Sequence, residues 1–275
     1  MREQAGPDFI ESLARGLDVV RAFGRVYRTM SLSEVAAATG LARPTARRIL
    51  LTLTDLGYVR GAGGVFELTP RVLELGMSYI SSSEIWTVTR PRLQELVALT
   101  NESCSIAQLD GSDIVYVSRV AVPKLVTLSV TVGTYFPALP TSLGKVLLAA
   151  LQPDELEAAL ATPSRSGVVP SWRPERDEID AALREVRAKG WALTDQQLAP
   201  AIRSVAAPVR NGDGKVVAAV NVNAHAAETS LETLTDDYLP KLLRVAGELS
   251  SDWALWEARP VDVRSPDIRP NSMPR

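Results

Sequence analysis

The sequence predicts an α+β protein in two parts: a small helical N-terminal domain with a β-hairpin, and a larger domain built on an antiparallel sheet. Three observations carry this. Two short helix-period stretches separated by Gly40 precede a hairpin pattern tipped by Gly61, Ala62, Gly63 and Gly64. From Ser103 onward the apolar period turns from helical to alternating, with turn signals at Asp110-Gly111 and Asn211-Gly212. Helical runs then recur between and after the strands, the pattern of helices packed on an antiparallel sheet.

Ser12 is placed to cap a first helix in which Leu13, Leu17, Val20 and Phe23 share a face. A second helix spans about 33–39, Gly40 makes the turn, and a third spans about 43–56. Ala46, Ile49, Leu50, Leu53 and Leu56 form its apolar stripe. Pro44 fits only near a helix start. Arg43, Thr45, Arg47 and Arg48 crowd the first turn and a half, largely on the other side, and Arg60 stands at the base of the following hairpin. Helix, turn, arginine-headed helix and wing in that order is the arrangement that presents side chains to a major groove, so double-stranded DNA is the predicted partner. The competing reading of the arginines is a solvated helix face. Pairing of half-sites on DNA further predicts a homodimer or tetramer, with the helices at 12–23 and 71–79 as candidate contact surfaces.

After Pro70 a helix over about 71–79 leads to Ser81, Ser82 and Ser83, and another follows over about 84–99, with Pro91 expected to kink or divide it. The expected organisation is a winged helix-turn-helix over 1–70, a linker helix over 71–84, a second domain over 85–257 and a disordered tail over 258–275. Strands are predicted near 105–109, 114–120 and 126–132, then an irregular loop marked by Pro137 and Pro140. Ser142 is the expected cap of a helix running to Leu151. Helices at about 153 and 174–189, strands near 191–194, 203–210 and 215–223, and a final helix over about 238–257 complete the chain.

The 275 residues are 46% hydrophobic and 23% charged with net charge −2, ordinary for a globular chain. Residues 1–80 hold ten basic against eight acidic residues and the remainder 20 against 24, so DNA affinity must rest on local placement. One cysteine, Cys104, excludes an internal disulfide. With no signal segment or membrane-spanning run, the expectation is a cytoplasmic protein without a membrane partner. Nucleophile-elbow and phosphate-loop motifs are absent, and the single histidine, His225, leaves few catalytic or metal-binding combinations. Neither a catalytic residue nor a cofactor is expected, and His225 reads as structural.

The hairpin around 211–214 makes a sharper statement. If Asn211 pairs with Gly214, Ser204 lies opposite Asn221 and Ile202 opposite Asn223. Alternation then puts Ser204, Ala206, Val217, Ala219, Asn221 and Asn223 on one face, with an all-apolar face behind. Convergent hydroxyl and amide groups on a concave face call for a polar ligand; the other reading is a solvated face.

The stretches SLARGLDVVRAF at 12–23, LARPTARRILLTL at 41–53, DLGYV at 55–59, LPTSLGKVLLA at 139–149 and GWALTDQQLAPAIRSVAAPVRNGDGKVVAAVNV at 190–222 together resemble the IclR family of bacterial transcriptional regulators. DIVYVSRV at 113–120, with TDQQL and IRSVAAPV, is similar to the subgroup governing protocatechuate and β-ketoadipate catabolism. The resemblance implies a winged helix-turn-helix, a linker helix and a GAF-like effector-binding domain for a small organic or aromatic acid. It places pocket positions at Ser142, Leu143, Thr194, Ser204, Asn221 and Asn223, with Asp195 adjacent. Several members carry smaller residues at 142 and 143, and serines at 221 and 223. A carboxylate effector wants a cation: Arg119 is the preferred candidate and Arg203, on the opposite parity, the rival, while either is equally readable as a surface ion-pair partner. Two other functions stay open at this point, an enzyme with an accessory nucleic-acid domain and an adaptor without ligand.

Overall fold

In the computed structural model, residues 6–23, 28–82, 85–123 and 130–259 are described. The predicted tail beyond 259 and most of the strand expected over 126–132 lie outside them. The chain forms two compact units, Met1–Ser83 and Glu84–Arg275.

In the first unit, α1 (Glu11–Ala22) is followed by β1 (Thr29–Ser31), α2 (Leu32–Thr39), α3 (Arg43–Asp55), β2 (Val59–Ala62) and β3 (Val65–Leu68). Ser31 and Glu34 form a reciprocal capping box on α2, and Gly40 closes it at φ 66°, a left-handed position that glycine takes at least cost. Pro44 sits in the first turn of α3, as its missing N–H requires. The wing pairs β2 with β3, and β1 adds a third strand that alternation alone did not signal. Val19, Phe23, Met30, Val35, Ala36, Ala46, Leu50 and Val59 make the core of this unit.

Two details of α1 depart from expectation. Its cap is Ile10, without a side-chain hydrogen bond, so Ser12 falls inside the helix. Val19 and Phe23 face the core, whereas Leu13 and Leu17 stay exposed and line a groove of about 780 Å³ with Thr45, Arg48, Ile49, Leu53 and Leu56. Leu56, expected in the stripe of α3, is its exposed C-cap. A short 3-10 turn at Pro70–Val72 precedes α4 (Leu73–Ser82).

The second unit opens with α5 (Ile85–Thr100), which carries the exposed Pro91 without dividing. Then come β4 (Ser103–Asp110), β5 (Asp113–Val120), β6 (Tyr135–Pro137), α6 (Ser142–Ala149), α7 (Pro153–Ala161), α8 (Arg176–Lys189), β7 (Ala192–Asp195), β8 (Ile202–Arg210), β9 (Val216–His225) and α9 (Leu239–Glu257). The six strands order as β6-β5-β4-β9-β8-β7, every pair antiparallel. Residues of α6, α7 and α8 share one core cluster with Ala107, Tyr116, Ala206 and Ala219, so these helices cover that face. The opposite-parity Val205, Ala207, Val209, Ala218, Val220 and Val222 are buried too, and α5 and α9 pack against the sheet from that side. Trp86 and Trp253 stack edge-on at 5.4 Å, and Arg92 of α5 reaches Asp252 and Glu248 of α9, each at 2.9 Å. The strand β6 replaces part of the loop expected around Pro137.

The β8–β9 register differs from the expected one. Ser204 lies opposite Asn223 and Ala206 opposite Asn221, a shift of two residues. The turn is wider than supposed, with the Asn211 N–H on the Lys215 carbonyl, and a bulge between Val209 and Arg210 adds the second step. Two single slips restore parity, so the polar groups still share a face.

Candidate functional site

The arginine-headed α3 presents Arg43, Arg47 and Arg48 exposed and Thr45 half-buried. None of the three guanidinium groups is held by an ion pair or hydrogen bond among the described residues. Thr45 and Arg48 border the groove toward α1, whereas Arg43 and Arg47 are absent from it. Arg60 is different: its Nε donates to the Glu67 carboxylate directly across the wing, and that bond holds the carboxyl below its ordinary range. A phosphate at the wing therefore competes with Glu67 for Arg60.

In the second unit, the face beneath α6 carries the predicted polar set. Thr194, Ser204 and Asn223 form one row across β7, β8 and β9; Arg119, Ser105, Asn221 and Ala206 form the next across β5, β4, β9 and β8. The Ser204 hydroxyl is buried and bonds the hydroxyls of Ser142 at 2.7 Å and Thr194 at 3.0 Å. Ser142 is free for this because Thr141, not Ser142, caps α6, its Oγ1 accepting from the Gly144 N–H at 2.9 Å. Gly144 lets α6 lie against the preceding loop: a Cβ there would meet the Ala138 carbonyl oxygen at 2.0 Å.

A cavity of about 20 Å³, room for one water, lies among Tyr116, Val130, Phe136, Pro140, Thr141, Thr194, Leu198, Ile202, Ser204, Asn221 and Asn223. Tyr116, Phe136, Leu198 and Ile202 were not singled out in the sequence. Parity was a usable signal for Tyr116 on β5, whose phenol burial pushes up to about 12, and for Ile202 on β8, two residues before Ser204; nothing local marked Phe136 or Leu198. Leu143 packs into the core beside the cup without lining it.

Arg119 donates from Nη1 to Ser105 Oγ at 2.8 Å, and its Nε–H has no partner among the described residues. No described carboxylate lies within ion-pair distance, and burial lowers its pKa. Across the same row the Asn221 Oδ1, on a residue 3% exposed, accepts from nothing described. Asp195 does not join the cup: strand parity turns it to the other face, where it takes the Arg203 Nε at 3.1 Å. Arg203 also bonds the Thr229 carbonyl at 2.8 Å, which makes it a structural clamp. His225 ends β9, accepting the Ala227 N–H on Nδ1 at 3.2 Å. Groups able to hold a metal ion are absent among the described residues, and no described helix is long and apolar enough to cross a membrane.

A winged helix-turn-helix in one unit, and a polar cup enclosed by sheet and helices in the other, are the parts of a DNA-binding transcriptional regulator. The comparisons with known proteins agree. Residues 12–63 match the IclR helix-turn-helix domain and residues 77–251 the bacterial transcriptional regulator IclR C-terminal domain. The chain belongs to the IclR family. It is 35% identical over 244 residues to the Pca regulon regulatory protein of Pseudomonas putida, covering 88% of this chain and 84% of that one. It is 32% identical over 247 residues to the p-hydroxybenzoate hydroxylase transcriptional activator of Acinetobacter baylyi, covering 88% and 91%. Among solved structures, a transcriptional regulator from Rhodococcus sp. RHA1 superposes with TM-score 0.78 at 47% identity over 90% of this chain and 99% of that one. An IclR homologue from Microbacterium hydrocarbonoxydans, solved with 4-hydroxybenzoate, superposes with TM-score 0.75 over 89% and 99%; at 21% identity the likeness is one of fold.

Proposed function

We propose that this regulator controls genes of aromatic-acid catabolism and that its effector is a hydroxylated aromatic carboxylate bound in the cup beneath α6. One observation carries the chemistry: the two orphaned atoms are complementary to two different groups. The Arg119 Nε–H needs an anionic acceptor and the Asn221 Oδ1 needs a donor. They stand two strands apart, about 10 Å between backbones. A ring that carries both a carboxylate and a hydroxyl offers a group of the right kind to each. Thr194, Ser204 and Asn223 complete the polar lining, with Ser142 held behind Ser204 by their hydroxyl bond. The relatives named for the pca regulon and for p-hydroxybenzoate hydroxylase, and the homologue holding 4-hydroxybenzoate, support this class of ligand.

On DNA, Arg43, Arg47 and Arg48 read or hold the operator, Thr45 contacts it from the start of α3, and Arg60 contributes from the wing. The protein acts as a homo-oligomer inside the cell. The apolar groove beside Leu13, Leu17 and Leu56 supports a second copy as its occupant. The α4 helix acts as the linker between a DNA-binding domain and an effector domain. Ser204→Leu fills the one-water cavity with a branched side chain. It is expected to abolish release or recruitment by 4-hydroxybenzoate and to leave operator binding by the free protein intact, read by fluorescence anisotropy. A normal response in that variant places the effector elsewhere.

A further inference from the structure

Residues 196–201 roof the cup. Leu198, 9% exposed, and the adjoining Ile202 line the cavity from this side, and the space they leave holds a single water. A hydroxylated aromatic acid needs more room than one water, and the roof is a wall whose movement supplies it. Both ends of the segment sit in the left-handed region without glycine, Gln196 at φ 55° and Ala201 at φ 64°. That conformation persists in ordinary residues only when the surroundings impose it. Here the restraints are a Gln196 N–H bond to the Ile202 carbonyl at 2.7 Å, an Ala226 N–H bond to the Ala201 carbonyl at 2.8 Å, and bonds from the Trp172 and Ser171 N–H groups to the Gln197 and Leu198 carbonyls at 2.9 and 3.3 Å.

Lys145 of α6 lies against this segment. It is 5% exposed, donates to Gln197 Oε1 at 2.6 Å and sits 4.4 Å from the centre of the Trp172 ring. Neither partner carries a negative charge. Of the charged groups around it, Glu185 of α8, itself engaged by Lys189, favours the ammonium from beyond ion-pair distance, and Glu232 lines with them a separate cavity of about 340 Å³ on the α8 side. Burial outweighs what the amide, the ring and the more distant Glu185 return, so the ammonium is undercompensated, and fuller hydration on lifting of the roof reduces that shortfall.

We propose that residues 196–201 form a spring-loaded roof over the effector cup, and that the buried ammonium of Lys145, with the left-handed backbone at Gln196 and Ala201, drives it open. The proposal rests on the cup being the effector site. Lys145 is a positioning residue, since it acts on the roof and not on the ligand. Replacing it with an apolar side chain of similar length removes the charge and leaves the roof more firmly shut.

A pH signature follows. Burial brings the Lys145 ammonium down to about 8, and exposure in the open state restores its ordinary value. The open state therefore binds more protons between about pH 8 and ~10.4, and closure strengthens as pH rises through that window.

The test is hydrogen exchange at the amides of Ser171, Trp172 and Gln196 in the full-length protein without ligand. Lys145→Met is expected to slow their exchange about tenfold or more, the factor that one pKa unit of relief sets. Ala201→Gly, which relieves the backbone without touching the charge, is expected to slow it about fivefold. After correction for intrinsic rates, wild-type protection should rise between pH 8 and 10 and that of Lys145→Met should stay flat. Unchanged protection in Lys145→Met overturns the proposal, and so does faster exchange, which makes Lys145 a latch. If Lys145→Met loses protection at the central strands β8 and β9 as well, it is globally unfolded, and Ala201→Gly with the wild-type pH series decides. Titration of the same proteins with 4-hydroxybenzoate forms a separate arm. Slower association in both variants is expected; absence of binding to any of them defeats the effector reading, while the exchange result still judges the spring.

Discussion

Replacing Arg119 with methionine separates affinity from stability. The substitution keeps an unbranched stem and removes the guanidinium that donates to Ser105 and carries an unpartnered Nε–H. For stability two effects oppose. The fully buried Ser105 hydroxyl loses its donor, at a cost of about 1 kcal/mol, and a cation that burial disfavours is relieved. The urea midpoint is therefore expected to move by no more than ~1 kcal/mol of equivalent stability. For binding there is no offset. A charge-assisted hydrogen bond to a carboxylate contributes about 1.5–3 kcal/mol, so 4-hydroxybenzoate should bind about 10–150-fold more weakly. Calorimetric titration with 4-hydroxybenzoate and its neutral amide checks the assignment. Wild type should prefer the acid strongly, and Arg119→Met should treat the two alike. If the variant keeps the acid preference, another group holds the carboxylate.

Arg47→Ala and Arg48→Ala should each weaken operator binding by ~1–3 kcal/mol where a base edge is lost; a phosphate contact shows instead as uniform weakening and a shallower salt slope. Anisotropy titrations at several salt concentrations distinguish the two, and unchanged affinity in both variants removes α3 from the groove. Gly144→Ala should lower the melting temperature sharply or prevent folding, because the added methyl meets backbone at 2.0 Å and not a movable side chain; a wild-type melting curve contradicts the packing of α6. Light scattering at micromolar concentration should return at least twice the chain mass, and Leu13→Glu with Leu17→Glu should reduce it. A wild-type monomer that still binds operator tightly rules out the groove as a self-contact.

Much of the fold was legible because its signals are local. The Gly40 turn, Pro44 in a first turn and the arginines behind the Ala46–Leu50 stripe each act within a few residues, whereas the Ser31–Glu34 capping box, equally local, starts α2 one residue before the expected 33. Strand alternation is equally local, so the polar face of β8 and β9 was readable, and an error of two residues in register left it intact. The exposure of Leu13 and Leu17 was not readable, since an apolar stripe does not say which of its edges meets the neighbouring helix. Asp195 had the chemistry of a site; alternation already set Arg203 on the opposite face, and strand pairing showed that Asp195 lies there with it. The orphaned Arg119 and Asn221 atoms, the roof residue Leu198, and the buried charge of Lys145 were decided by tertiary structure alone. Whether a polar atom finds a partner depends on groups 50 or 100 residues away in the chain, and sequence period carries no record of those distances.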